Sequence, residues 1–351
     1  MYLAIKEILH NKLRYSLVLV TVFLISFMVF FMTSLVIGLV RDNRTAADNW
    51  DSTGVVLSKY ANKNLTASFI TEDNYKDKLS DDAVPLGYMF AVTNLKNDDT
   101  TVNISIFAQN WNSFIAPKLI EGHYPESKNE VIIDQSMENY NIKMGDQIQL
   151  NGSTDEYKVV GITNDSKFFT VPVIYTDLST YWKLQHTDKT TKTISAIVLN
   201  NDVDVSGEGL VQVTEQDMIS NIPGYTPEVN VFMGMIIALV VITCLVVGIF
   251  IYIIMIQKLG LYGIMRAQGI QSKTIIWSLF CQIFVLSGMG VLMALIGVWA
   301  VKFVLPATLF FYPSWLAYSL LGLAIIIMAL LGGLISLPKI LKIDPIEAIG
   351  E

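Results

Sequence analysis

Four long runs without a single Asp, Glu, Lys or Arg, interrupted by one acidic, polar insertion, constrain this chain more than any other feature. The runs are Tyr15–Val40, Val231–Ile256, Ile275–Ala300 and Trp315–Leu337, and the insertion is residues 41–230. A helix crosses a ~30 Å hydrocarbon core with about 20 residues. Inside lipid, only helices and closed barrels satisfy every backbone N–H and C=O. The expected fold is therefore a membrane protein with four transmembrane α-helices in a 1+3 arrangement and an extracytoplasmic α+β domain between helices 1 and 2. Buried helices of a soluble protein have no need of four charge-free stretches of this length.

The formal net charge of −7 hides an asymmetry. Residues 41–230 hold 27 acidic and 15 basic residues, net −12, while the remainder holds 4 acidic and 9 basic, net +5. The short flanks carry the cations: Lys6, Lys12 and Arg14 before the first span, Lys258, Arg266 and Lys273 between the second and third, Lys339 and Lys342 after the fourth. The positive-inside rule then places both termini and the middle loop in the cytoplasm, with residues 41–230 outside the cell membrane. The opposite flank offers only Lys302, with Phe310, Phe311, Tyr312 and Trp315 as an interfacial aromatic cluster. The first run is too long for a signal-peptide core and no small-x-small cleavage pattern follows it, so it is expected to remain as an anchor.

The organisation that follows is an amphipathic cytosolic helix at 1–14, spans at 15–40, 231–256, 275–300 and 315–337, the large domain at 41–230, a cytosolic loop at 257–274, a short outer loop at 301–314 and a cytosolic tail at 338–351. Within the domain, Val131–Ile133, Gln147–Leu150, Tyr157–Ile162, Val171–Tyr175 and Ile194–Leu199 have strand character, divided by Gly145-Asp146, Asn151-Gly152 and Asn164-Asp165. Helix is predicted for Thr71–Ser80 and Ser136–Asn141. Pro223, Gly224 and Pro227 are expected to break or kink the chain just ahead of the second span. Cys244 and Cys281 both lie in spans, so core packing rather than disulfides must hold the domain together.

Several chemistries find no support in the sequence. There is no G-x-x-x-x-G-K-[ST] phosphate loop, so ATP is expected to be hydrolysed, with Mg²⁺, on a separate subunit and not here. His10, His123 and His186 are far apart, without metal-ligand spacing, and neither G-x-S-x-G nor H-E-x-x-H is present. The chain is read as no enzyme and as holding no intrinsic cofactor. The spans lack the ionisable residues of ion-coupled carriers, no internal repeat relates two halves, and nothing marks a nucleic-acid partner.

The loop Gln257–Thr274 (QKLGLYGIMRAQGIQSKT) is compact and cationic, with Gly260, Gly263, Arg266 and Gly269 around a short apolar segment. This loop resembles the G-[IL]-x-[KR]-A-x-G connector of FtsX-like and MacB-like (type VII) ABC transporter permeases. Asp344-Pro345-Ile346-Glu347-Ala348-Ile349 resembles the D-P-x-x-A-[IL] tail of that group. In the domain, Gly122 with Glu130-Val131-Ile132-Ile133, then Gly145-Asp146-Gln147-Ile148, then Tyr157 to Ile162 resemble the ordered elements of the MacB-like core domain. The resemblance implies a homodimer of this chain bound to two copies of a cytosolic ABC ATPase, with Gly263, Arg266 and Gly269 transmitting ATPase closure to the external domains.

Within that group, the start Ala4-Ile5-Lys6-Glu7-Ile8 and the end Asp344–Gly350 look most like the permease subunits of haem exporters. That resemblance implies haem, taken from the membrane, as the transported substrate. Haem is a flat apolar ring whose iron accepts Tyr, His, Met or Cys. Tyr225 at the predicted outer interface is the candidate iron ligand, with Glu228 beside it and Met233 and Met235 deeper. Asn164-Asp165-Ser166-Lys167-Phe168-Phe169 carries phenylalanine where similar exporters carry a second tyrosine, so Phe168 is able to stack on the ring without ligating iron. Two other readings stand beside this one: a regulator of the FtsX type that moves no substrate, and an exporter conferring resistance to antimicrobial peptides or lipophilic toxins.

Overall fold

A computed structural model describes residues 12–95, 101–185, 192–201, 203–257, 260, 264–265, 268–306 and 309–335. The chain divides into two compact units, one made of Met1–Ile37 with Asn230–Glu351, the other of Gly38–Val229. In chain order the α-helices are α1 (Lys12–Asp42), α2 (Thr45–Asp48), α3 (Glu72–Tyr75), α4 (Leu178–Leu184), α5 (Glu215–Ser220), α6 (Tyr225–Ile256), α7 (Ser272–Val301) and α8 (Trp315–Ile335).

Helices α1, α6, α7 and α8 are long and apolar enough to cross a membrane. They are rich in β-branched residues, yet in lipid the helix is the form that pairs every backbone group locally. With no hydrophobic drive between helices there, small residues and polar links decide the packing. A Cβ placed on Gly332 of α8 would lie 2.2 Å from the Cys244 carbonyl and 2.9 Å from the Gly248 nitrogen of α6, so these two backbones touch. Gly290 of α7 similarly admits Val22 of α1, 2.8 Å from where a Cβ would stand. The Tyr15 hydroxyl donates to Gln282 Oε1 at 2.9 Å, tying α1 to α7, and the Ser34 and Tyr318 hydroxyls join α1 to α8. Thr33, Thr243 and Ser287 return their hydroxyls to carbonyls one turn back, which keeps these polar groups satisfied within their own helices.

The second unit is built on a mixed sheet. Its strands are β1 (Gly54–Ser58), β2 (Ile70–Thr71), β3 (Ala83–Leu95), β4 (Val102–Ala108), β5 (Leu119–Gly122), β6 (Glu130–Asp134), β7 (Gln147–Leu150), β8 (Glu156–Thr163), β9 (Lys167–Phe168), β10 (Val171–Thr176), β11 (Thr193–Ile194), β12 (Ala196–Leu199) and β13 (Leu210–Val213). The principal order is β13-β1-β12-β3-β4-β10-β6-β8-β5, with β7 pairing both β3 and β8. The strands β3-β4-β10-β6-β8-β7 therefore close on themselves. One face of this ring, including Ile104, Ile106, Val131, Ile133, Ile148 and Val159, forms a single buried cluster. The 13-residue β3 belongs to two structures at once. Its first residues, Ala83–Leu86, pair with β12 in a wing β13-β1-β12-β3, and its remainder pairs with β4 and β7 in the ring. A second core, rich in aromatics, gathers Trp50, Leu57, Tyr88, Phe107, Phe168, Tyr175, Met218 and Tyr225.

Two predicted helices take shorter forms. Thr71–Ser80 holds α3 and a 3₁₀ turn at Lys76–Lys78, with Tyr75 its buried anchor; Gln135–Tyr140 is 3₁₀ throughout, capped by the Asp134 carboxylate. The predicted helix at 1–14 lies outside the described residues up to position 11, and α1 is already helical from Lys12. The residues Pro223 and Gly224 precede α6, and Pro227 sits in its first turn, where a missing N–H costs no hydrogen bond.

The close approach of α8 and α6 gives a direct test. Gly332→Leu should lower the thermal midpoint of the purified chain by several degrees, as overpacking of about 1–3 kcal/mol would. Gly288→Leu, with nothing within 4 Å of its Cβ position, should leave it within about a degree of the parent.

Candidate functional site

The last turn of α1 belongs to the sheet-bearing unit, and its final carbonyls have no partner within the helix. The Asn43 and Arg44 N–H groups reach the Leu39 and Arg41 carbonyls, and the β9–β10 hairpin takes the next two. The Thr170 N–H donates to the Asp42 carbonyl at 3.0 Å and the Phe169 N–H to the Asn43 carbonyl at 3.4 Å. Phe169 and Thr170 adopt left-handed backbone conformations, φ 55° and 64°, which disfavour side chains bearing a Cβ. Such strain persists where surrounding contacts impose it. Those contacts are numerous: Lys167 Nζ lies 2.7 Å from Asp42 Oδ2, Arg41 pairs with Asp165, and Asn49 Nδ2 donates to the Asp165 carbonyl at 3.0 Å. Thr45 Oγ1 accepts the Lys167 N–H at 3.0 Å.

The start of α6 is held differently. Gly224, with φ 85°, turns the chain, the Thr226 hydroxyl donates back to the Ser220 carbonyl at 2.7 Å, and the Tyr225 ring enters the aromatic core. The Tyr225 hydroxyl lies beside the Arg44 guanidinium. Arg44 is fixed on three sides: Nη2 and Nε to Asp48, both at 2.7 Å to Oδ1, Nη1 to Gln216 Oε1 at 2.8 Å, and Nη2 to Glu215 Oε1 at 3.8 Å. The Ser52 hydroxyl donates to Glu215 Oε2 at 2.9 Å. Burial pushes the Glu215 carboxyl up to about 7, while hydrogen bonding to Asp48 holds the Arg44 guanidinium charged. Residues after the first span and before the second thus meet over one cation.

The residues singled out in the sequence fall in distinct places. Tyr225 and Phe168 share the aromatic core; Phe168 is 0% exposed, its ring 5.3 Å from both Tyr88 and Phe107. Phe169 packs edge-on against Phe90 at 6.0 Å. Glu228 is exposed in the first turn of α6, where a carboxylate suits the helix dipole. Met233 and Met235 are about half exposed on α6. Gly269 has φ 87°, with open space at its Cβ position, whereas Gly263 and Arg266 lie outside the described residues. His123 Nδ1 faces the Tyr124 carbonyl at 2.8 Å on an exposed turn. Among the described residues no group of three or more His, Cys, Asp and Glu is placed to hold a metal ion. An apolar cavity of about 270 Å³ between α7 and α8, lined by Trp277, Phe280, Cys281, Phe284, Val285 and Leu330, involves none of these candidates.

The Arg44 cluster was not foreseen. The i, i+4 spacing of Arg44 and Asp48 is visible locally, but Ser52, Glu215 and Tyr225 join it only through the fold.

Asp42 and Lys167 side chains are 15% and 22% exposed, so removing one partner strands the other away from most solvent. Lys167→Met should destabilise the chain by about 1–3 kcal/mol, less than a fully buried pair would show. Asp42→Asn added to it should cost little more, which a double-mutant cycle of thermal midpoints would read.

Residues 231–345 match the FtsX-like permease C-terminal family. The whole chain is 30% identical to a Staphylococcus haemolyticus protein described as the hemin transport system permease HrtB, over 100% of this chain and 99% of that one. It is 28% identical to an HrtB so described from Staphylococcus epidermidis, again over 100% and 99%. Among solved structures, the extracellular domain of the noncanonic ABC-type transporter YknZ from Gram-positive bacteria aligns with 43% of this chain and 84% of its own at 13% identity, with a TM-score of 0.32, too slight a likeness to argue from. Full-length identity at this level, with the family match running from the second span through the fourth, makes the chain a member of the FtsX-like family of ABC transporter permeases.

Proposed function

We propose that this multi-pass permease subunit exports haem from the membrane, driven by ATP hydrolysis on its partner. The full-length likeness to proteins described as hemin transport permeases carries the choice of cargo. Two copies of the chain would stand on two ATPase subunits, with the termini and residues 257–274 cytoplasmic and residues 41–230 outside, as the cations of the short flanks favour.

The geometry supports a mechanical mode of working. A transmembrane helix is a stiff rod, and the outer turn of α1 is locked to β9–β10 by two ion pairs and two backbone hydrogen bonds. The cytosolic loop with Gly263, Arg266 and Gly269 joins α6 to α7 and would take up the ATPase movement; a tilt of α1 that accompanies it would be passed to the domain. No aqueous pore is needed for a ring that already partitions into lipid.

Tyr225 is the proposed iron ligand: in the packed state burial raises its pKa, and the Arg44 guanidinium beside its hydroxyl works against that by favouring the phenolate that ferric iron takes. Glu228 and Met233, exposed on the same helix, would complete the contacts. Tyr225 is 8% exposed, so ligation requires the first turn of α6 to move off the core. Substrate binding and domain movement are coupled by that requirement. Phe168 would stack on the ring after the same opening.

Haemin titration of the detergent-purified chain, read in the visible spectrum, tests this reading. A saturable Soret shift is expected, weakened at least about tenfold, or about 1.4 kcal/mol, in Tyr225→Phe. No specific shift, together with unchanged haemin sensitivity of a strain lacking the protein, would favour a regulator of the FtsX type. For the loop, Arg266→Glu with Gly263→Trp should abolish co-purification with the ATPase subunit while the thermal midpoint stays unchanged; normal co-purification would remove the loop from that role.

A further inference from the structure

Asp48 and Glu215 compete for one guanidinium. Arg44 Nη2 is 2.7 Å from Asp48 Oδ1 and 3.8 Å from Glu215 Oε1, and the two carboxyl groups are within hydrogen-bonding reach of each other. The Glu215 side chain is 19% exposed, so water screens this contest poorly. Among the described residues, the neighbours of these carboxylates add no second cation to Arg44. The Ser52 hydroxyl and the Gln216 amide are neutral, Tyr225 is a phenol, and Asp217, on the same helix, is paired with Lys63 at 3.0 Å. Strand β1, packed on α5, contributes only Gly54–Ser58, none of them charged.

We propose that Glu215 holds a proton beside the Arg44–Asp48 pair, and that loss of this proton loosens the hold between α2, which follows the first span, and α5, which leads to the second. With the proton, the Arg44, Asp48 and Glu215 trio is neutral. Without it, the trio is net negative, and the poorly solvated Glu215 carboxylate and the more exposed Asp48 carboxylate repel across a single cation, which favours the protonated form of the more buried one.

The sign follows from linkage. The Glu215 carboxyl titrates at about 7 in the fold against an ordinary 4.5, so the folded contact binds more protons than the opened one. Its contribution is fully present below 4.5 and is lost as pH rises through about 7. The helix α5 N-terminus favours the anion, and the burial of the group outweighs it. An acid exterior would thus stiffen the tie between the two spans and a neutral or alkaline one would relax it, whatever the cargo.

Hydrogen exchange of the full chain in lipid nanodiscs, at pH 6 and pH 8 with times corrected for intrinsic exchange, reads this directly in peptides covering residues 44–53 and 214–222. Protection in the parent should fall roughly tenfold between the two, the fall levelling off above about 7. Glu215→Gln, isosteric and unable to ionise, should keep its protection at both pH values, and Asp48→Asn, which removes the competing carboxylate but not the burial, should weaken the pH dependence without abolishing it. Equal protection of the parent at pH 6 and 8, or an undiminished fall in Glu215→Gln, would overturn the proposal.

Discussion

The end of a helix leaves carbonyls that must find donors, and just past the end of α1 two of those donors come from another part of the chain. The Phe169 and Thr170 N–H groups meet the Asn43 and Asp42 carbonyls, and two ion pairs fix the same hairpin beside them. Both donors sit in backbone conformations that β-carbon-bearing residues avoid. The hairpin is shaped for the helix it holds. Because these capping groups belong to the sheet, the last turn of α1 is a structural part of the domain rather than a tether to it.

The second joint uses different physics. Tyr225 inserts an aromatic ring into the core at the start of α6, and Arg44 draws Asp48, Gln216, Glu215 and the Tyr225 hydroxyl around one charge. A packed ring resists displacement through lost dispersion and hydrophobic contacts, which are insensitive to pH. A shielded charge cluster resists it only in one protonation state. Within this second joint the ring holds at any pH, and the charge cluster is the part on which protonation bears.

Much of the architecture was legible in the sequence, and the parts that were not have physical reasons. The four spans are compositional, so nothing in the fold hides them. Strands β6, β7, β8 and β10 show as short apolar runs between Gly-Asp and Asn-Gly turns. Strand β1 does not, since all five of its residues are buried and no alternation survives. Strand β3 carries Pro85 and Gly87, ordinary breakers, yet runs for 13 residues because it leaves one sheet and joins another there. The predicted strand Ile194–Leu199 is divided between β11 and β12 at Ser195, whose hydroxyl accepts the Tyr88 N–H at 3.0 Å. At the site, the sequence placed Tyr225 at the head of the second span but gave no sign of Arg44, because a pairing across some 170 residues leaves no local pattern.

The rigidity of the α1 joint is the claim on which mechanical transmission stands. It is tested most directly by the distance between spin labels at Leu35, on α1, and at Lys158 on β8, in a chain with Cys244 and Cys281 replaced by alanine and assembled with its ATPase. A rigid joint gives one narrow distance distribution, the same without nucleotide and with ATP trapped. A second distance appearing with ATP would show that the helix end slips against the domain, and would contradict transmission through it.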